Sequence, residues 1–502
     1  MRAANNMKTA TKPARSIQIP ESALLTVLGG VLVLFSICQL VPVIFALIFQ
    51  EETIQLFLQS IAVCASCGFF LIALFRGSRQ EMIPRDGFLL VVLVWSVMPA
   101  AGGLPLMLYL DGMSFTDAYF ESISALSTTG STVIVGLDNL PVSINVWRHF
   151  MVLMGGMGIL VLTVAILPIL GVGGSQIYKA ETPGPMKEEK LTPRISETAR
   201  GLWLVYFGIA LACWLAYWLA GMSWWDAFMH MCSTMGLGGF SAYDASFGHF
   251  DSPAIEAVAI FFMTLAGVNF GLYFIALRNR SLKPLISDLE AKSYLVLMWG
   301  SVIGIAAFLY VHGVYDDPLT AFRFAAFNVV SIATTTGFAS TDYAQWPLFA
   351  PVFMLALCGI ATCAGSTGGG VKMVRLLLIL KQSRNELIRI VHPRAVVPVK
   401  LGQSIVDPVI LRSILAFLVV YLLAICLGTL ILLMTGLDAV TAFTAVIASI
   451  NNTGPGLGEV GPAANYQGLS DFQTWICSIL MLLGRLELMS VLVLFVPHFW
   501  RH

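Results

Sequence analysis

The sequence predicts an all-α integral membrane protein of about ten transmembrane helices. Four pseudo-repeated units of span, pore helix and span surround one central pore, behind two extra N-terminal spans. Three observations carry this prediction. Apolar residues make up 58% of the 502 and charged residues 11%, with a mean hydropathy of +0.84, where soluble domains carry roughly 25% charged residues. Lys and Arg collect on one side of the apolar runs, and a polar, glycine-centred string recurs four times on the other.

A helix crosses a hydrocarbon core of about 30 Å with about 20 residues. Apolar runs of that order lie at 24–49, 54–75, 88–110, 145–172, 201–221, 253–276, 293–314, 350–380, 409–435 and 473–499. The first is too long for a signal-peptide core and lacks a small-residue cleavage site, so it counts as a span. With the N-terminus in the cytoplasm, 25 of the 28 Lys and Arg fall inside, among them Arg2, Lys8, Lys12, Arg15, Arg76, Arg79, Arg85 and the run from Lys372 to Arg412. Arg148 and Arg323 lie outside and Arg485 within a span, which follows the positive-inside rule and puts both termini in the cytoplasm. The outward connections carry sixteen acids against two bases. Such a mouth concentrates cations, although positive-inside sorting alone also leaves acids outside. The nine cysteines lie mostly in apolar segments, with Cys64 and Cys67 one helical turn apart, so neither disulfides nor zinc are expected.

The repeat organises the chain. DAYFESISALSTTGST surrounds Gly130, DAFMHMCSTMGLGGFS Gly239, FAAFNVVSIATTTGFA Gly337 and TAFTAVIASINNTGPG Gly454, at intervals of 109, 98 and 117 residues. Twelve residues before each glycine stands an alanine: Ala118, Ala227, Ala325 and Ala442. A dozen helical residues cover only about 18 Å, so each stretch enters the membrane and returns. Irregular backbone at that depth is tolerated only where protein buries it or water reaches it, and four such segments naturally share one cavity. Each short helix aims its partially negative C-terminal end there, which favours a cation. Glycine accepts positive φ and keeps bulk off a carbonyl-lined path, Thr128, Thr129, Thr335, Thr336 and Thr453 add hydroxyls, and a ring of oxygens can replace the hydration shell of an alkali ion.

These residues resemble the Trk/Ktr/HKT superfamily of potassium transporters, and most of all the bacterial Trk-type pore-forming subunit. Beyond the four turns, the resemblance covers AETPGPMKEEKLTPRISETARGLW, CAGSTGGGVKMVRLL, HPRAVVPVKLG and LLGRLELMS, nearly the whole chain. It implies that potassium contacts Thr129 and Gly130, Gly238 and Gly239, Thr336 and Gly337, and Thr453 and Gly454. Ser at the first of these glycines accompanies sodium permeation in the family, so Gly130 implies potassium preference. The second turn, Leu237-Gly238-Gly239, and the fourth, Asn452-Thr453-Gly454, depart from the Thr-Thr-Gly form, so the path is not fourfold symmetric.

The run 350–380 is broken by CAGSTGGGVK, where Gly365, Gly368, Gly369 and Gly370 each weaken a helix by about 1 kcal/mol relative to Ala. A phosphate-binding loop needs Lys directly after its second glycine, whereas Val371 follows Gly370. The resemblance identifies this stretch as an intramembrane loop that obstructs the pore below the filter. Arg485, a charge within the last span, faces a cavity or a partner; pairing with Glu487 or snorkelling is the plain alternative, and the resemblance implies that it contacts the glycine loop and holds it closed. His230 and Cys232 share a short helix without a second metal-ligand pair and read as packing residues. Glu121 reads as a hydrogen-bonding support.

The units run 1–80 (cytoplasmic N-terminus and two extra spans), then 81–180, 181–285, 286–385 and 386–502 (four pore units). The expected function is potassium uptake across a bacterial inner membrane, without enzymatic chemistry and with potassium as cargo rather than any organic cofactor. Sodium- or proton-coupled carriage stays open. A membrane-embedded hydrolase needs a nucleophile with a base or paired intramembrane aspartates, whereas the aspartates map to loops. The resemblance implies a homodimer gated by a cytosolic nucleotide-binding regulatory subunit; no nucleic-acid partner is expected.

Overall fold

A computed structural model of the chain describes residues 21–75, 84–161, 195–402 and 404–500. The basic residues Arg2, Lys8, Lys12, Arg15, Arg76 and Arg79, the end of the fourth predicted span and all of AETPGPMKEEKLTPR lie outside the described residues.

Six predicted spans are helices long and apolar enough to cross a membrane: Leu24–Phe49, Ile54–Phe75, Arg85–Tyr109, Ala199–Leu219, Leu289–Val311 and Pro408–Met434. The fourth predicted span is described as Val142–Val161. The eighth is broken as its glycines predict, into Phe349–Cys358 and Met373–Val391. Two spans read as single runs are bent, which corrects the ranges 253–276 and 473–499. Pro253–Ala266 turns by 86° into Phe270–Arg278, and Asp471–Arg485 turns by 103° into Met489–Phe495. At the first bend the Asn269 carboxamide oxygen accepts the Gly271 N–H at 2.8 Å and starts a new helix. At the second, Glu487 and Leu488 both take positive φ. An apolar run reports only that hydrocarbon surrounds it, and says nothing about its axis.

Four short helices enter between the spans: Phe115–Leu126, Trp224–Gly236, Pro318–Ala333 and Ala439–Asn451, of 12, 13, 16 and 13 residues. None is long enough to cross the bilayer.

Burial is inverted relative to a water-soluble protein. Leu204, Leu219, Val296 and Met434 are 67–87% exposed, while Glu121, Arg148, Thr129, Thr336, Asn452 and Thr453 are fully buried. Hydrocarbon is the solvent for the outer belt, so the polar residues gather inside. The first two spans meet through backbone, because a Cβ added to Gly29 or Gly68 would stand 2.7 Å from the other's carbonyl oxygen. Small residues that let helices approach this closely are a main source of packing energy in lipid. Between the helices Met373–Val391 and Pro408–Met434, Lys400–Leu401 pairs antiparallel with Ser404–Ile405.

Gly68→Leu overfills this contact and destabilises the protein by about 1–3 kcal/mol, read as a fall in melting temperature in detergent. Gly30→Leu, where an added Cβ meets nothing within 4 Å, leaves it within error of the parent.

Candidate functional site

Each pore helix is capped at its outer end by a side-chain oxygen that accepts N–H groups of its first turn. Ser114 and Ser223 accept the N–H groups of Asp117 and Asp226, each at 3.1 Å. Asp317 accepts Thr320 N–H at 2.8 Å, and Asp438 accepts the N–H groups of Val440 and Thr441 at 2.9 and 3.1 Å. The Thr320 N–H holds the Asp317 carboxyl below its usual pKa, and Thr441 does the same for Asp438. A negative cap complements the positive helix start.

The inner ends share one geometry. The N–H groups of Thr129, Gly238, Thr336 and Thr453 each bond the carbonyl five residues back, on Ser124, Ser233, Ser331 and Ala448. The preceding residue bonds three back and takes positive φ: Thr128 56°, Leu237 55°, Thr335 61° and Asn452 54°. This is a Schellman ending, in which glycine is the usual left-handed residue. None of the four is glycine, and the strain of about 1–2 kcal/mol for each is retained where two of the side chains have evident work. Thr335 Oγ1 accepts Gly369 N–H at 3.0 Å. Asn452 Nδ2 donates to Thr129 Oγ1 and to the Met481 carbonyl, both at 3.0 Å, and so ties the fourth quarter to the first.

Two residues further on, Gly130, Gly239, Gly337 and Gly454 again have positive φ, of 88°, 49°, 91° and 93°. They close a ring. A Cβ on Gly130 would stand 2.7 Å from the Gly238 carbonyl oxygen, and one on Gly454 2.8 Å from that of Thr129. Cβ atoms on Gly239 and Gly337 would press on the Thr336 and Thr453 oxygens. Each glycine therefore abuts the carbonyl of the next quarter, in the order one, two, three, four, one. The quarters are unequal: Phe240 N–H bonds back to Gly238 O at 2.6 Å, occupying one lone pair of that carbonyl. The hydroxyls expected to face the ion are in part tied to protein, with Thr129 Oγ1 2.7 Å from Ser127 Oγ and Thr336 Oγ1 2.8 Å from Thr334 Oγ1.

Outside the ring the acids are largely engaged. Glu121 accepts two bonds from Arg148, at 2.7 and 2.8 Å, as well as Thr132 Oγ1 and Val133 N–H. Arg148 reaches on to the Ser241 carbonyl at 3.4 Å and stacks on Phe240, so a fully buried pair braces the first two quarters. Arg323 pairs with Glu256 and Asp251, and Asp244 accepts the N–H groups of Gly136 and Leu137. The acidic mouth is thus mainly a set of braces, since an acid near unpaired N–H groups is held by them. His230 packs among aromatic rings and its Nε2 lies 3.1 Å from Ser241 Oγ, behind the second turn.

Below the ring lies the loop of Gly365, Gly368, Gly369 and Gly370. Besides its bond to Thr335, its Thr367 Oγ1 donates to the Met235 carbonyl at 3.0 Å, and a Cβ on Gly369 would strike the Asn451 carbonyl. The loop therefore touches the ends of the second, third and fourth pore helices. Arg485 Nη1 donates to Thr367 O and Nη2 to Gly155 O, each at 2.9 Å, bridging the loop to the Val142–Val161 span. Glu487 pairs with Arg375, so the alternative in which it neutralises Arg485 is not what the geometry shows. Glu290, absent from the sequence-based candidates, accepts the N–H groups of Ala364 at 2.8 Å and Val374 at 3.1 Å, pinning both flanks of the loop. A carboxylate at the start of an apolar run was its available signal.

A family model described as a cation transport protein, TrkH, matches residues 53–502. The chain is 45% identical over 480 residues to the Trk system potassium uptake protein TrkH of Salmonella typhimurium, covering 95% of this chain and 99% of that protein. It is 37% identical over 474 residues to the Trk system potassium uptake protein TrkG of Escherichia coli, covering 94% and 97%. The crystal structure of the potassium transporter TrkH from Vibrio parahaemolyticus superposes with a TM-score of 0.89 at 42% identity, covering 96% of this chain and all of that one.

Thr335→Val keeps the side-chain shape but leaves the buried Gly369 N–H without its acceptor, a loss of about 1–3 kcal/mol visible as a lower melting temperature. Thr335→Ser retains the oxygen and most of the stability.

Proposed function

The chain belongs to the TrkH family of cation transport proteins, and from that premise we propose that it takes up potassium through the ring formed by Thr129 and Gly130, Gly238 and Gly239, Thr336 and Gly337, and Thr453 and Gly454. The observation that carries this reading is the closed contact of each glycine with the next quarter's carbonyl. A dehydrated cation in the ring meets backbone oxygens in place of water. Four helix C-termini, each carrying about −0.5 elementary charge, offset part of the lost hydration without placing a carboxylate on the path, so the ion can leave.

In the same reading, Gly365, Gly368, Gly369 and Gly370 form a gate. The loop abuts three pore-helix ends, and Arg485 sets a positive charge against it while bonding its Thr367 carbonyl. Opening requires these bonds to break together. The protein lies in the bacterial inner membrane with both termini cytoplasmic, as the Lys and Arg distribution supports, and works as a homodimer. A cytosolic nucleotide-binding regulatory subunit acts on the loop through the helix Met373–Val391, which leads directly from it and carries Lys381, Arg384 and Arg389.

The reading is tested by flux of potassium, rubidium and sodium in liposomes, with and without a pH gradient. Potassium and rubidium should pass ahead of sodium, and an uptake that requires a proton or sodium gradient makes the protein a coupled carrier. Gly130→Ser forces a side chain toward Gly238 O at a φ of 88° and should lower potassium flux relative to sodium; unchanged selectivity overturns the filter assignment. Arg485→Ala should raise basal flux severalfold, and equal flux in parent and variant removes Arg485 from the gate.

A further inference from the structure

The 86° bend in the second unit opens a lateral cavity of about 730 Å³, lined by Gly208, Phe261, Leu265, Tyr273, Leu277 and Arg280 among others. Its rim faces the bilayer, because Leu204, Phe261, Leu277 and Leu282 are 57–67% exposed. The walls are apolar apart from a few groups, and Arg280 is the cationic side chain among them.

Arg280 is held in an unusual backbone state. Its N–H bonds Leu277 O at 3.2 Å, Ser281 N–H bonds Ala276 O at 3.0 Å, and its φ is 47°. This is again a Schellman ending, where glycine avoids strain and an arginine does not. Among the described residues its guanidinium has no hydrogen-bond or ion-pair partner. Lys283 stands three residues on, exposed, at the start of the short helix Lys283–Ser287, where Leu282 at the N-cap and Ile286 within the helix are both 66% exposed. An apolar slot open to lipid, with cationic groups at its Lys- and Arg-rich end, has the two-part chemistry of an anionic amphiphile.

We propose that this cavity binds one anionic phospholipid, its acyl chain between Gly208 and Phe261 and its phosphate on Arg280, with Lys283 nearby. The site rests on the cavity and its charges alone and does not require the gate to work as described. Its position is nonetheless close to the loop: Cys363 N–H bonds Gly267 O and Phe270 N–H bonds Gly365 O, each at 3.0 Å, at the bend that creates the cavity.

The test is native mass spectrometry of the full-length protein released from nanodiscs of equal phosphatidylcholine and phosphatidylglycerol. The parent should retain phosphatidylglycerol in preference to phosphatidylcholine. Gly208→Phe fills the slot from a position where an added Cβ meets nothing within 4 Å, and should cut retention by about tenfold, the burial of fewer than two methylenes. Arg280→Gln should keep an acyl chain but lower the preference for phosphatidylglycerol by about fivefold, the effect of one basic side chain near an anionic surface. The proposal is overturned if the parent retains no lipid, if it holds both lipids equally, or if both variants retain phosphatidylglycerol as the parent does.

Discussion

Everything in this protein depends on one constraint: backbone that enters a bilayer and turns round must satisfy its own N–H and C=O groups, because hydrocarbon offers no partner. The four pore helices meet it alike, with a three-back and a five-back hydrogen bond that engage the N–H groups of two successive residues at each helix end. The same bonds leave the next carbonyls with no helical partner. Protein meets some of those at the turns, since Phe240 N–H donates to Gly238 O and both Ser131 Oγ and the Tyr466 hydroxyl donate to Gly454 O; in the proposed reading the rest face the cation. The buried braces extend the logic outward. Glu121 and Arg148 are affordable at zero exposure because each has several partners; removing one alone would strand the other at about 3–5 kcal/mol.

The strain at the turns indicates which side chains matter. A helix ending on a left-handed residue prefers glycine, yet Thr128, Leu237, Thr335 and Asn452 stand there. For Thr335 and Asn452 the structure supplies the reason, since one holds the glycine loop and the other joins two quarters of the ring. For Leu237, whose side chain is fully buried in the apolar core, packing is the compensation. Strained backbone persists where surrounding contacts over-determine it. The second quarter, with Leu237 and a Gly238 carbonyl already engaged by Phe240, is where the ring departs most from fourfold form.

Much of this was legible in the chain. Apolar runs, charge sidedness and a fourfold string with alanine twelve residues before each glycine specify the spans, the short re-entrant helices and the four glycine turns that end them. The broken eighth span was legible too, because four glycines in six residues cannot continue a helix cheaply. What composition could not reveal was direction. The bends at Gly267–Asn269 and Leu486–Leu488 lie within stretches that remain apolar enough overall to read as single spans, so composition alone does not reveal them. Nor does a charge map show that an acid is already occupied: the hydrogen-bonding support read for Glu121 is what the structure holds, whereas Asp244 gives no such sign and is held by N–H groups more than a hundred residues away.

The ring is built from one polypeptide, and that has a genetic consequence. In an assembly of identical subunits any filter substitution is multiplied by the number of copies, so a mildly harmful change becomes a severe one. Here Gly130, Gly239, Gly337 and Gly454 are separate codons, each pressed on a different neighbour. A single mutation alters one quadrant only, and under the proposed function ion preference can drift in small increments while the other three quadrants keep their geometry. The unequal second turn is the kind of divergence that such a gene can accumulate and a homotetramer cannot.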